Sequence, residues 1–179
     1  MPTDLPARLR RPRVEASVMS RFRDLSDAIE DRVGTGDDAE LPALLAEWNA
    51  KAHRRYEPRE FTGYAGAMDQ DDFVLSALAP PPRFIDDLRF DEARDAIDGI
   101  MNANLSEADT HYAMDVIEMN LRGCNLSDLI FWPNEWFGDE SMLEVAMTPE
   151  QVLGYAMKKS QRTLTGTPPD LDLPWPIPK

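Results

Sequence analysis

The segment from Ser106 to Leu121 places the strongest constraint on how this chain can fold. At about 100° per residue on a helix, its apolar side chains cover a broad arc. They are Ala108, Tyr112, Ala113, Val116, Ile117 and Met119. Because so wide an apolar surface must contact neighbours on more than one side, we expect this helix to be the hub of an all-α fold. Ser106 predicts an N-terminal cap, and Gly123 follows the expected end of the helix.

The polar side chains of the same segment form a narrow stripe. They recur at spacings of four, four and three residues and comprise Glu107, His111, Asp115 and Glu118. His with carboxylates is a set that binds zinc or iron. A ferritin-like metal centre, however, needs Glu and Glu-x-x-His contributions from several facing helices, and this chain has two histidines. We therefore expect the stripe to face solvent or a partner and to hold no metal or cofactor.

Similar patterns elsewhere predict further helices. Apolar periodicity and breaks at proline or glycine place them over residues 15–33, 38–54, 69–79 and 91–101, and from near residue 140. The sequence Thr148-Pro149-Glu150-Gln151 predicts the capped start of a last helix. We expect an ordered loop over 56–68 and a buried extended segment or turn over 129–132. The predicted fold class is all-α, a single irregular helical domain of about five to seven helices.

Proline marks both ends of the chain. Residues 1–13 contain three prolines and four arginines and are predicted to form a flexible arm. Residues 14–165 are predicted to form the helical domain. Residues 166–179 contain five prolines, which are incompatible with a helix, so we expect an extended tail packed on that domain.

Acidic side chains dominate the charge. The 179 residues carry a formal net charge of −14, and residues 69–118 hold thirteen acidic residues against three arginines. This balance argues against nucleic acid or an anionic membrane as the main partner, because both favour Lys and Arg. No apolar run approaches the ~20 residues of a membrane span, and no secretory signal is visible. We expect a cytoplasmic protein whose oligomeric state stays open.

The sequence contains no catalytic signature. It has no glycine-rich phosphate loop, no nucleophile elbow and no zinc-binding His pair. The single cysteine, Cys124, excludes a disulfide framework, and a lone Cys among Gly, Asn and Leu is typical of a small buried side chain. We therefore expect a protein that is not an enzyme. The alternative is a metal- or thiol-dependent enzyme centred on His111.

The segment 128–138, DLIFWPNEWFG, is short, very apolar and interrupted by Pro133. Trp132 and Trp136 are either residues that fill the core or anchors of a protein interface, since Trp is enriched at binding hot spots. A self-associating scaffold protein that uses these tryptophans and the tail is a further alternative function.

Together with the following MTPEQVLGYAMKK, this segment resembles the closing part of small bacterial immunity proteins of polymorphic-toxin and contact-dependent inhibition systems. In those proteins an apolar IFWP-type segment precedes a helix capped by Thr-Pro-Glu. The resemblance covers residues 128–159. It implies a protein that binds and silences a cognate toxin, often a basic nuclease, without performing chemistry itself.

A strongly acidic protein without catalytic residues is suited to bind a basic protein, because negative charge steers association with a cationic surface. On this hypothesis the acidic face occupies the basic substrate groove of the toxin or a patch beside it. The predicted partner-binding residues are Asp86, Asp87, Glu92, Asp95, Asp98, Glu107, His111, Asp115, Glu118, Trp132 and Trp136.

Overall fold

The computed structural model describes residues 5–36, 39–64 and 68–177. Parts of four predicted segments lie outside these ranges: residues 1–4 of the arm, the expected helix start at 38, residues 65–67 of the loop and residues 178–179 of the tail. The described residues are all-α and contain no strand, which confirms the predicted fold class. None of their helices combines the length and the apolar character needed to cross a membrane.

Nine α-helices occur in the described part of the chain. Six of them have nine residues or more, and three are shorter. In chain order they are α1 (Ala16–Thr35), α2 (Leu41–Lys51), α3 (Glu60–Gly63), α4 (Gln70–Leu78), α5 (Phe90–Met101), α6 (Glu107–Asn120), α7 (Leu126–Phe131), α8 (Pro133–Phe137) and α9 (Pro149–Ser160). A 3₁₀ turn spans Glu140–Met142.

The chain groups into two compact units, one of residues 11–81 and one of residues 1–10 with 82–179. The unit of residues 11–81 contains α1 to α4 around an aromatic core. The predicted apolar stripe of α1 is buried at Phe22, Leu25 and Ile29. Trp48 of α2 is completely enclosed, and its ring centroid lies 4.7 Å from that of Phe22 and 4.8 Å from that of Phe61.

The unit of residues 1–10 and 82–179 contains α5 to α9, and its most enclosed helix is α9 rather than the expected α6. Six consecutive residues, Val152 to Met157, are buried, which requires neighbours all around the helix. α5 and α7 pack against it. Leu173 of the tail lies so close to Gly154 that a Cβ atom there would come within 2.8 Å of a Leu173 methyl group. The sequence pattern did not indicate how deeply α9 is buried, because Gly154 allows close approach of a neighbour without contributing an apolar side chain.

α6 otherwise follows the prediction closely. The Ser106 hydroxyl accepts a hydrogen bond from the N–H of Asp109 at 3.2 Å, which confirms the cap. The buried residues are Ala108, Tyr112, Ala113, Val116, Ile117 and Asn120. Met119, expected in the apolar arc, is only partly buried, and Asn120 is buried at the end of the helix instead.

Residues 129–132 are part of a helical corner and are not extended. α7 and α8 meet at Trp132, and Pro133 takes the first position of α8. Because Pro133 has no N–H to donate, α7 cannot continue through it, but the same residue suits the start of a new helix. The helix expected from near residue 140 is reduced to the 3₁₀ turn.

The described parts of the predicted arm and tail, residues 5–10 and 166–177, pack within the unit of residues 1–10 and 82–179 through specific side chains. Residues 5–10 lie in the expected flexible arm, yet Leu5 and Leu9 are buried. In the tail, the Tyr155 hydroxyl donates to the carbonyl of Trp175 at 3.0 Å and accepts from the N–H of the same residue at 2.8 Å. This pair of bonds holds the proline-rich tail against α9.

Candidate partner-binding surface

All eleven predicted binding residues belong to the unit of residues 1–10 and 82–179, but the structure distributes them over three places. Five lie just before or on α5, four lie along α6, and the two tryptophans lie at the corner of α7 and α8. The contacts of each group decide which side chains are available to a partner.

The carboxylates around α5 are largely paired within the chain. Arg8 forms ion pairs with Asp87 at 2.5 Å and with Glu92, and Arg94 pairs with Asp95 at 2.5 Å. The hydrogen bonds from Arg8 lower the pKa of the Glu92 carboxyl. These three charges are therefore compensated locally, and the negative field of α5 is weaker than the count of acidic residues indicates.

Asp86 and Asp98 differ from their neighbours because neither forms an ion pair with a described basic residue. Asp86 is exposed and its backbone carbonyl accepts a hydrogen bond from Arg162 at 2.9 Å. The Asp98 carboxylate accepts a hydrogen bond from the Asn102 amide at 3.0 Å, which ties it to the end of α5.

The predicted stripe on α6 exists, with His111 and Asp115 exposed and Glu107 and Glu118 partly buried. Although Asp115 is exposed as a residue, neighbouring atoms remove part of the water around its carboxyl and raise the carboxyl pKa; Glu118 raises it further, while His111 opposes the shift. Glu118 also has a role inside the fold, because its carboxylate accepts the N–H of Leu126 at 2.7 Å. That bond connects α6 to the first residue of α7.

The two residues of the alternative enzyme hypotheses have different environments in the described ranges, with His111 exposed and Cys124 buried. No group of three or more His, Cys, Asp and Glu side chains that could hold a metal ion is found among these residues. Cys124 is completely buried, and burial raises the pKa of its thiol to about 12. A thiol with that pKa is protonated at neutral pH and is a poor nucleophile.

The two tryptophans have different environments. Trp136 is only 8% exposed, and its indole N–H donates to the carbonyl of Cys124 at 2.6 Å. Its ring packs edge-on against Phe137 and Tyr155, so it belongs to the core. Trp132 is 54% exposed and is available at the surface.

Trp132 belongs to a stretch of the chain rich in exposed apolar and acidic side chains, which we did not single out from the sequence. We define the acidic corner as residues 131–144. Three of the four large hydrophobic side chains that are exposed in the described chain lie in it: Phe131, Trp132 and Leu143. The same segment presents four exposed carboxylates, Glu135, Asp139, Glu140 and Glu144.

The sequence does contain a signal for this surface. Residues 123–157 include six acidic residues and no Lys, Arg or His. We counted charge over residues 69–118, where the arginines that neutralise the carboxylates also lie. A count of acidic residues that lack basic neighbours indicates the corner more directly.

The protein-family models, curated proteins and solved structures with which the chain was compared include no match to it.

Proposed function

We propose that this chain is an acidic, non-catalytic binding protein that neutralises a basic protein partner. The observation that carries the proposal is the acidic corner, where exposed aromatic and aliphatic side chains lie among carboxylates with no cation in the surrounding stretch of sequence. Exposed apolar groups anchor interfaces, and the excess of one charge selects a partner of the opposite charge.

The partner class that we propose is a cognate toxin with a basic surface, such as a nuclease, and the chain is then its immunity protein. The resemblance of residues 128–159 to immunity proteins supports this choice. On this proposal the chain acts by occupying the cationic substrate surface of the toxin. Inhibition by occupation requires no catalytic group, and it is consistent with the buried, protonated Cys124.

Self-association through the same aromatic side chains is the weaker alternative. Residues 1–10 and 82–179 carry nineteen acidic and ten basic residues. Two copies that approach through their acidic corners bring like charges together, which opposes the contact. The charge that favours a basic partner therefore disfavours a second copy of this chain.

Coexpression with the protein encoded by the adjacent gene tests the proposal. If that protein is a toxin, it should stop growth when expressed alone and should permit growth when this chain is also present. The purified pair should associate with a rate constant that falls by about tenfold or more between low and physiological salt, because the attraction is electrostatic. Absence of toxicity, or growth arrest that persists with this chain present, contradicts the proposal.

A further inference from the structure

The acidic corner is held in one backbone conformation by its own hydrogen bonds. They join the N–H groups of four residues to carbonyls three to five residues earlier, at 3.0–3.2 Å: Trp136 to Trp132, Asp139 to Asn134, Met142 to Asp139 and Leu143 to Glu140. Gly138, with φ of +65°, ends α8 in the left-handed conformation that glycine adopts readily. A surface that is already ordered loses little conformational entropy when it binds.

The apolar side chains of the corner divide into an inner and an outer set. Trp136 and Met142 are buried, at 8% and 3% exposure, and attach the corner to the core. Phe131, Trp132 and Leu143 are 48–54% exposed. The inner set therefore attaches the segment to the core, and the outer set consists of apolar side chains that folding leaves exposed.

The charged side chains of the acidic corner are all acidic. No ion pair joins Glu135, Asp139, Glu140 or Glu144 to a basic side chain in the described part of the molecule. The hydroxyl and the N–H of Ser141 donate to Asp139 and lower the pKa of its carboxyl. Lys159, whose ammonium lies 5.8 Å from the ring of Trp136, interacts with the inner set instead.

We propose that the acidic corner is the surface on which the partner docks, an inference that depends on the function proposed above. Its occupant is a basic segment of the partner protein that carries an apolar side chain between lysines or arginines. The apolar side chain covers Trp132 and Phe131, and the cations pair with the carboxylates around them. The carboxylates of α5, which Arg8 and Arg94 already pair, add to long-range attraction without contacting the partner.

Two synthetic peptides test this inference on the full-length protein. One combines leucine with lysine and the other contains lysine alone at the same charge. We expect the leucine–lysine peptide to bind at least about tenfold more tightly, because only it fills the apolar surface. In NMR spectra, the backbone amide shifts that it causes should concentrate in residues 131–144.

Trp132→Ala should weaken binding of the leucine–lysine peptide by about tenfold or more. Phe84→Ala is the matched control, because Phe84 is also 54% exposed but lies outside the corner, and we expect it to change the affinity less than about twofold. Leu143→Ala provides a second variant of the corner if Trp132→Ala alters the circular dichroism spectrum. Glu140→Gln with Glu144→Gln should reduce the salt dependence of binding, whereas Glu107→Gln with Asp115→Asn should not.

The possible outcomes distinguish a wrong docking site from a wrong proposed function. Equal losses in Trp132→Ala and Phe84→Ala, or amide shifts centred on α6, overturn the acidic corner as the docking site and leave a basic partner as the proposed ligand. If neither peptide binds the wild-type protein even at low salt, the proposed function itself is contradicted. Preferential binding of the lysine-only peptide also overturns the docking site, because the apolar side chains then contribute nothing.

Discussion

The buried side chain of Asn120, at the end of α6, forms four hydrogen bonds inside the unit of residues 1–10 and 82–179. Its carbonyl oxygen accepts from the N–H of Ile85 at 2.8 Å and from Arg162 at 2.9 Å. Its amide nitrogen donates to the carbonyls of Val116 at 2.7 Å and Arg83 at 3.2 Å. One side chain at 2% exposure thus connects α6, the segment before α5 and the residues that follow α9.

We expect Asn120→Leu to lower the free energy of unfolding by about 2–4 kcal/mol, because the change leaves several buried hydrogen-bonding groups without their partner. Urea denaturation at neutral pH measures the change. Asn104→Leu is the control, since Asn104 is exposed, and its effect should stay within about 0.5 kcal/mol. Equal stabilities of the two variants would show that water replaces the lost bonds.

At the scale of the element, local sequence determines the start of α9. The Thr148 hydroxyl accepts the N–H of Gln151 at 3.3 Å, and the Gln151 side chain accepts the N–H of Thr148 at 3.0 Å. Pro149 follows the cap at the first helical position. This reciprocal pair of hydrogen bonds, a capping box, confirms the capped start that the sequence predicted. The helix that it begins is the one on which α5, α7 and the tail pack.

Thr148→Ala should destabilise the protein by about 1 kcal/mol, because one N–H at the start of α9 loses its acceptor. Thr148→Ser keeps the hydroxyl and should restore most of that stability. Thermal unfolding followed by circular dichroism compares the variants with Thr163→Ala, a change at an exposed threonine that has no capping role. A destabilisation in Thr148→Ser as large as that in Thr148→Ala contradicts a capping role for the hydroxyl.

At the scale of the whole molecule, the net charge is −14, and ion pairs with arginine determine which of the acidic side chains remain unpaired. Arginines compensate the acidic residues beside α5, and similar pairs such as Arg21 with Glu47 and Arg23 with Asp71 occur on the unit of residues 11–81. No ion pair with a described basic residue compensates the four carboxylates of the acidic corner. The unpaired carboxylates of the corner therefore lie outside residues 69–118, the segment that holds thirteen acidic residues.

These pairs also predict how stability depends on pH. Arg8 lowers the pKa of Glu92 in the folded protein, so the pair stabilises the fold above the ordinary pKa of glutamate, about 4.3, and this contribution is lost as acidification protonates the carboxylate. Urea denaturation across the acid range should show a steeper loss of stability in the wild-type protein than in Arg8→Gln. Arg122→Gln is the control, because Arg122 is exposed and forms no ion pair among the described residues. Its stability should fall on acidification as steeply as that of the wild-type protein.

Features that depend on neighbours along the chain were predictable from the sequence. The all-α class, the apolar stripes of α1 and α6 and the caps at Ser106 and Thr148 are of this kind. Each depends on a helical period or on hydrogen bonds between residues three apart, and both are properties of local sequence.

Only the tertiary structure decided which acidic side chains remain unpaired and which apolar ones remain exposed. Arg8 reaches Asp87 and Glu92 across about eighty positions of sequence, and Gly154 makes α9 the central helix because Leu173 approaches it from the tail. Pro133 stops α7 so that Trp136 is buried while Trp132 stays at the surface. Contacts between distant residues determine charge pairing and burial, so the sequence predicted an acidic helical protein and the fold determined which of its acidic and apolar side chains stay exposed and unpaired.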